Sequence, residues 1–182
     1  MKDNHLHEKK SDFRKSCIKQ LTFVAHNCGY KRQKIIVKNL ENLIYNLNKK
    51  NILLYLPFKK MEVNVQPLIN ALRKKRINVY VPMMKDDSFI AIPYRLPLEK
   101  RRFGIREPKN SHQKVKLDLA IVPIVGLDKY YKRIGFGAGM YDRFFDRLNY
   151  SPTIIFTQLR LCKSEQHLSN KYDISSDYLI TY

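Results

Sequence analysis

The chain has 182 residues, with 35 Lys or Arg against 16 Asp or Glu, so its formal net charge at pH 7 is +19. That length suits one domain with a sizeable core, and a hydrophobic fraction of 44% excludes a chain that stays disordered. No apolar run reaches membrane-spanning length, and the polar first ten residues do not resemble a signal peptide. The charge favours polyanions of any kind, among them nucleic acids, nucleotides and acidic substrates.

The three cysteines, Cys17, Cys28 and Cys162, form no C-x-x-C pair. An odd count without a secretory signature predicts free thiols in a reducing compartment. We therefore expect a cytoplasmic protein.

Two helices are predicted at the start of the chain, after a polar and flexible stretch at residues 1–9. Apolar residues at helical spacing begin after Ser11 and share one face in each helix. The first helix has Phe13, Cys17, Leu21 and Val24 on that face, and the second has Ile36, Leu40, Leu43 and Leu47. A loop at residues 27–29 separates the two helices.

Apolar runs bounded by proline, glycine or polar residues predict about six strands. They cover residues 51–57, 77–81, 88–92, 119–125, 153–156 and 178–181. Helical segments separate most of these runs, including one for which Asn64 is the expected N-cap. This alternation predicts a three-layer α/β/α fold with a largely parallel sheet, formed by residues 1–182 as a single domain.

The longest segment without a predicted element, residues 93–113, combines basic and aromatic side chains. A loop of that length in a compact domain is typically functional or mobile. Basic residues next to aromatic ones also suit a nucleic-acid surface. A basic nucleic-acid-binding module is therefore one alternative function.

Residues 118–148 contain the strongest functional pattern, which is a strand, a glycine-rich loop and an amphipathic helix. Gly135, Gly137 and Gly139 alternate in the loop, so its backbone can approach a phosphate closely. The spacing matches neither the P-loop nor the dinucleotide fingerprint, and a plain tight turn is the other interpretation. Arg133 before the loop and Asp142 after it favour a phosphate accompanied by Mg²⁺.

The same segment, DLAIVPIVGLDKYYKRIGFGAGMYDRF, resembles the signature of the 5-formyltetrahydrofolate cyclo-ligase family, also called 5,10-methenyltetrahydrofolate synthetases. Weaker matches recur along nearly the whole chain. The resemblance implies a fold akin to the NagB/RpiA/CoA-transferase group. It also implies conversion of 5-formyltetrahydrofolate to 5,10-methenyltetrahydrofolate with ATP and Mg²⁺, by phosphorylation of the formyl oxygen and intramolecular attack of nitrogen 10.

The resemblance further implies an ATP site. Lys10 and Arg14 match a K-x-x-L-R segment whose cations contact the phosphates, and Arg133 and Tyr141 are the expected catalytic residues. Met140 stands where the family usually has the first of two tyrosines. The complete expected set for ATP is Lys10, Arg14, Arg133, Ile134, Gly135, Phe136, Gly137, Ala138, Gly139, Met140 and Tyr141.

For the folate, the resemblance implies contacts from Glu62, Phe103 and Tyr141. Glu62 follows a predicted strand, at the edge of an α/β sheet where ligands bind. The substrate is expected with or without a polyglutamate tail. The protein is expected to be a monomer without a nucleic-acid or membrane partner.

For Mg²⁺, the resemblance implies Asp142 and Asp177 as ligands. Asp177 ends a segment similar to the family's terminal D-x-x-x-D pattern, and Asp173, the first aspartate of that segment, is expected to be structural. A sugar-phosphate enzyme of the same fold is the second alternative, since it would also use a glycine loop and cations.

Overall fold

The computed structural model describes residues 2–100, 106–109 and 115–182, without the side chains of residues 2–5. The helices of this part are α1 (Lys2–Asn46), α2 (Gln66–Lys74) and α3 (Met140–Asp146). Its strands are β1 (Asn51–Leu53), β2 (Asn78–Lys85), β3 (Ser88–Pro93), β4 (Glu99–Lys100), β5 (Arg106–Glu107), β6 (Leu119–Pro123), β7 (Gly126–Leu127), β8 (Arg133–Ile134), β9 (Thr153–Thr157) and β10 (Tyr178–Ile180). Within these ranges no helix combines the length and the apolar character needed to cross a membrane.

Six strands form the central sheet in the order β10-β9-β6-β1-β2-β3. All neighbours pair in parallel except β2 and β3, which form an antiparallel hairpin. The short pairs β4-β5 and β7-β8 lie outside this sheet. The predicted α/β fold with a largely parallel sheet of about six strands is therefore confirmed.

Two apolar clusters cover the two faces of the sheet. Ile52 on β1 and Leu54 just after that strand belong to the cluster that contains buried residues of α1 and α2. Leu53, which lies between them, belongs to the other cluster, together with Phe144 of α3. Successive side chains of a strand point to opposite faces. This alternation gives three layers and explains why a parallel strand such as β6 is buried along its whole length.

The first helix differs from the prediction in two ways. Helical structure runs from Lys2 to Asn46, with non-helical backbone angles only at Cys28 (φ −144°, ψ 17°). The predicted loop at residues 27–29 is thus a kink. The helix also includes residues 2–9, where the sequence predicts a flexible start, and Lys10 directly after that stretch forms an ion pair with Asp173.

A disulfide joins Cys17 of α1 to Cys162, which follows β9. Their Cα atoms are 5.9 Å apart although 145 positions separate them in the chain. The prediction of free thiols is therefore wrong for these two cysteines, because the packing of α1 on the sheet brings together residues whose spacing carries no signal. Cys28 is free and exposed.

Candidate active site

The candidate site lies beyond the carboxyl ends of the central parallel strands. β6 ends at Pro123, and the β7-β8 hairpin, the loop of residues 135–139 and α3 follow it. Arg133 is anchored at this edge, because its backbone N–H donates to Ile174 O and its Nε lies 3.3 Å from Pro123 O. Ligands of open α/β sheets bind at this edge.

A cavity of about 380 Å³, here called the phosphate cavity, opens beside the glycine loop. It is lined by three separate parts of the chain, namely the start of α1, residues 133–142 and residues 168–173. Its lining is Leu6, His7, Lys10, Arg14, Arg133, Gly135, Gly137, Gly139, Asp142, Leu168, Asn170 and Asp173.

The three cations of the phosphate cavity each have a partner within the protein. Lys10 Nζ pairs with Asp173 Oδ2, and Arg133 Nη1 lies 3.2 Å from Asp142 Oδ2. Arg14 Nε donates to Gly135 O at 2.8 Å. Three cations against two carboxylates leave the lining with one excess positive charge, which suits an anionic ligand.

Burial lowers the pKa of Arg14, the charge of Asp173 opposes that shift, and Arg133 adds to it. A guanidinium remains protonated at any physiological pH. Arg14 is therefore a permanent positive charge held next to a second one, and an anion between them relieves their repulsion.

Two of the three glycines in the loop have positive φ angles. Gly137 (φ +110°) and Gly139 (φ +63°) adopt conformations that residues with a side chain rarely take. An added Cβ at Gly137 would be in ordinary van der Waals contact with Arg14 Cζ at 3.7 Å, so the backbone angle and not a clash favours glycine there. The glycines therefore allow the loop to turn close to α1 on its way into α3.

A second cavity, here called the apolar cavity, has a volume of about 280 Å³ and shares Arg133 and Gly139 with the phosphate cavity. Most of its wall is aromatic or aliphatic. The lining consists of Tyr55, Leu56, Phe58, Lys59, Glu62, Pro82, Met84, Phe89, Pro123, Arg133, Phe136, Ala138, Gly139, Met140 and Tyr141.

Glu62 is the one carboxylate in the described wall of the apolar cavity. Its Oε2 accepts hydrogen bonds from the backbone N–H groups of Phe58 (2.7 Å) and Lys59 (2.8 Å). Burial raises the pKa of Glu62, and these two hydrogen bonds and the charges of Lys59 and Arg133 oppose the shift. The carboxyl group is thus fixed in place by its own loop.

Tyr141 lines the apolar cavity next to Arg133, which lines both cavities. The Arg133 guanidinium carbon lies 5.1 Å from the centre of the Tyr141 ring, a cation–π distance. Burial raises the pKa of Tyr141 strongly, although the Arg133 charge opposes this. The phenol therefore stays protonated near neutral pH and is a hydrogen-bond donor rather than a base.

The expected ATP-binding residues divide between the two cavities. Lys10, Arg14, Arg133 and the three loop glycines line the phosphate cavity, whereas Phe136, Ala138, Met140 and Tyr141 line the apolar cavity. Ile134 is fully buried on β8 and lines neither. Phe103 lies outside the described residues.

The fold does not place Asp177 close to Asp142. Its Oδ2 accepts a hydrogen bond from Ile154 N, and its own N–H donates to Ile154 O, which places it at the start of β9. Ile154 is three residues, roughly 10 Å, from the carboxyl end of that strand. The structure therefore corrects the expected pair of metal ligands, since Asp177 lies at the opposite edge of the sheet.

Asp173, expected to be structural, is the second carboxylate of the phosphate cavity. The backbone N–H of its neighbour Ile174 lies 3.4 Å from Asp142 Oδ1, which links the two acidic positions. In the described ranges no group of three His, Cys, Asp or Glu could hold a metal alone. Mg²⁺ that accompanies a nucleotide needs only one or two carboxylates besides the phosphates, and Asp142 and Asp173 fit that requirement.

Asp128 joins two walls of the site. Its Oδ1 accepts from the N–H groups of Tyr130 and Lys132, and its Oδ2 accepts from those of Leu168 and Ser169 and from the Ser169 hydroxyl. Burial alone would raise the pKa of Asp128, but these hydrogen bonds lower it. The carboxylate thus fastens the β7-β8 hairpin to the segment that leads to Asp173.

A third, open cavity of about 780 Å³, here called the basic chamber, shares Leu56, Phe58, Lys59 and Glu62 with the apolar cavity. Four cations and several amides line it, with Glu62 as the one acidic side chain among the described lining. The cations are Lys59, Lys60, Lys100 and Arg106.

The fold and the site define a class of protein, an α/β protein with an anion cavity that opens into an apolar cavity at the carboxyl edge of its sheet. Within that class, the chain belongs to the 5-formyltetrahydrofolate cyclo-ligase family, whose family model matches residues 6–170.

Individual relatives agree with this assignment. A 5-formyltetrahydrofolate cyclo-ligase from Haemophilus influenzae is 43% identical over 51 residues, which are 26% of this chain and 27% of that relative. The solved 5,10-methenyltetrahydrofolate synthetase of Aquifex aeolicus has 27% identity and a TM-score of 0.76, covering 94% of this chain and 89% of that one. The corresponding structure from Mycoplasma pneumoniae has the same fold, with 22% identity and a TM-score of 0.71 over 94% and 97% of the two chains.

Proposed function

We propose that this protein converts 5-formyltetrahydrofolate to 5,10-methenyltetrahydrofolate, using ATP and Mg²⁺ and releasing ADP and phosphate. The observation that carries the proposal is the junction of two cavities at Arg133 and Gly139. A reaction between a nucleotide phosphate and a formyl oxygen requires both groups to meet at one point. Holding two reactants in line is the main contribution that a protein makes to phosphoryl transfer.

The phosphate cavity supplies the charge for the nucleotide. Lys10, Arg14 and Arg133 neutralise the triphosphate, and the backbone of the glycine loop lies against it. Asp142 and Asp173 would hold Mg²⁺, which neutralises phosphate charge when it is bound. Their ion pairs with Arg133 and Lys10 hold these carboxylates in position.

The apolar cavity would hold the pterin ring. Glu62 is a hydrogen-bond acceptor for the ring's amino group and N–H, and its own position is fixed by two backbone donors. The protonated Tyr141 hydroxyl is a donor near Arg133 for the substrate's oxygen. The wall of hydrocarbon excludes water, which strengthens both polar contacts.

The proposed reaction needs no nucleophile from the protein. The formyl oxygen attacks the terminal phosphorus, the bond to ADP breaks, and the formyl carbon becomes an activated electrophile. Nitrogen 10 attacks that carbon, the carbon–oxygen bond breaks, and phosphate leaves together with the proton of nitrogen 10. Arg133 is placed to stabilise the charge on the transferred phosphate in both steps.

We further infer that the basic chamber receives the glutamate tail of the folate, including a polyglutamate tail. The chamber adjoins the apolar cavity, with which it shares four lining residues, and it is lined by four cations that suit the carboxylates of such a tail. With a triglutamate substrate, Lys60→Ala combined with Lys100→Ala should raise KM while kcat stays unchanged. With a monoglutamate substrate the same variant should change KM less, and equal KM changes would contradict a tail site.

The test of the main proposal is the absorbance of the methenyl product when protein, Mg²⁺, ATP and 5-formyltetrahydrofolate are mixed, with ADP measured in parallel. We expect one ADP for each product molecule and no product without ATP. Folded protein that binds ATP but yields neither product nor ADP would refute the proposal.

A sugar-phosphate activity finds less support, because the mostly apolar wall beside the phosphate cavity offers few partners for sugar hydroxyls. The monomeric state and the cytoplasmic location remain predictions.

A further inference from the structure

A strongly basic surface lies at the edge of the sheet opposite the candidate active site. Two adjoining grooves of about 240 Å³ and 500 Å³ meet at Ile77, and Asn51 and Asn78, which begin β1 and β2, pair beside them. Six cations line the two grooves, and we name this surface the basic edge. They are Lys49, Lys50, Arg73, Lys75, Arg76 and Arg95.

The cations of the basic edge differ from those of the phosphate cavity because they lack acidic partners. No carboxylate lines either groove, and none of the six forms an ion pair within the described part of the chain. The nearby Asp118 already accepts hydrogen bonds from the backbone N–H groups of Lys50 and Asn51. The positive charge of these six side chains is therefore not compensated by an acidic side chain in either groove, so the surface attracts an anion from outside the chain.

The shape and the lining of the basic edge indicate which kind of anion binds there. Among the described residues, no exposed large hydrophobic side chain lines either groove, so the grooves lack the apolar anchor that a protein partner or an inserted membrane surface needs. The Tyr94 ring is buried, and Arg73 lies over it at 5.3 Å, so it offers no free face to a base. What remains is a concave row of charges, which matches a chain of phosphates.

We propose that the basic edge binds a nucleic-acid strand through its phosphates. Contacts to phosphates alone carry no sequence information, so the binding is independent of sequence and steeply dependent on salt. The sequence has no nucleic-acid-binding signature because the six cations come from three separate segments of the chain and meet only in the fold.

Because the two surfaces lie at opposite edges of the sheet, a bound strand and the catalytic substrates do not compete. The basic edge is thus a second binding function that neither requires the proposed reaction nor impairs it.

The test uses a fluorescently labelled single-stranded RNA of about 20 nucleotides, a length that exceeds the 4–16-nucleotide sites of small binding folds. Anisotropy is measured at several salt concentrations for the full chain and two matched variants. The edge variant is Lys50→Gln/Arg73→Gln/Lys75→Gln/Arg95→Gln. The control variant, Lys19→Gln/Lys31→Gln/Lys34→Gln/Lys38→Gln, removes the same charge from exposed positions of α1.

We expect the edge variant to bind at least about tenfold more weakly, with a salt slope shallower by roughly 0.7 for each phosphate that is no longer neutralised. The control variant should bind less than about threefold more weakly. ATP-dependent turnover should be equal in all three proteins, and the melting temperatures report that each is folded. Equal weakening in both variants, no binding by the wild-type chain at 100 mM salt, or tighter binding to phosphatidylserine vesicles or to inorganic polyphosphate would each overturn the proposal.

Discussion

The phosphate cavity and the apolar cavity share a boundary at Arg133, yet they are assembled in different ways. The phosphate cavity needs three distant segments, and its charged groups are held by long-range pairs such as Lys10 with Asp173. The apolar cavity fixes its own acidic group locally, because Glu62 is held by residues three and four positions before it.

This difference predicts which changes in the chain disturb each cavity. A change that loosens α1 should damage the phosphate cavity more than the apolar cavity, because the cations Lys10 and Arg14 lie on that helix. A change in the loop of Glu62 should damage folate binding alone. Four predictions test this separation, beginning with the largest expected effect.

The disulfide should contribute most to stability. Closing a loop of 145 residues removes chain entropy worth about 5 kcal/mol from the unfolded state. Cys17→Ser should therefore lower the free energy of unfolding by up to that amount in urea titrations without reductant, and weaken ATP binding more than folate binding. Cys28→Ser is the control and should change neither. Titration of three thiols instead of one in the unreduced, denatured protein would contradict the prediction.

Arg133→Met should cost about 3–5 kcal/mol of stability, because it leaves the buried Asp142 carboxylate without its partner. Adding Asp142→Asn should restore most of that stability, since an amide needs no counter-charge. Activity should stay absent in the double variant, because it lacks both the proposed phosphate contact of Arg133 and the proposed Mg²⁺ ligand Asp142. Chemical denaturation and product formation separate the two effects, and a double variant as unstable as Arg133→Met would disprove the pairing.

Arg14→Ala should lower kcat/KM for ATP by about 100-fold, the scale of losing one charge-stabilising donor. KM for the folate should not change, because Arg14 does not line the apolar cavity. Lys15→Ala is the matched control, since this neighbouring cation is exposed and pairs only with Asp12 among the described residues. If both variants keep wild-type ATP turnover, Arg14 has no role in binding the phosphates.

Glu62→Gln should have the smallest effect on stability, and its sign depends on pH. Burial raises the pKa of Glu62 above its ordinary value of 4.5, so the folded protein binds the proton more tightly than the unfolded chain does. Stability therefore falls as pH rises from about 4.5 through the raised pKa. The variant should lack this fall while raising KM for the folate, and KM for ATP should remain unchanged. A pH series of melting temperatures in which both proteins fall together would refute the assignment.

Much of the fold was predictable because its patterns are local. Apolar runs bounded by proline, glycine or polar residues indicated all six strands of the sheet, and Gly135, Gly137 and Gly139 indicated a tight, glycine-rich loop before α3. The cap of α2 shows the limit of such reasoning. The helix begins one residue later than expected, at Gln66, although Asn64 Oδ1 still accepts the Gln66 N–H.

The second carboxylate of the phosphate cavity was harder to predict because the D-x-x-x-D pattern offers two candidates. A signal did exist, since Asp177 immediately precedes strand β10 and a residue at that position lies at the amino edge of a parallel sheet. Ligands bind at the other edge. Asp173, four residues earlier in the loop, is able to reach the phosphate cavity. The disulfide had no comparable signal, because only the docking of α1 brings Cys17 to Cys162.

The hydrogen bonds of Asp128 also bear on how the molecule opens. One buried side chain accepts from Tyr130 and Lys132 on one side and from Leu168 and Ser169 on the other. Amide protons that are exposed by one cooperative opening share the free energy of that opening. If the Asp128 carboxylate makes these two stretches, far apart in the sequence, one such unit, hydrogen exchange should give the same opening free energy for all four amides.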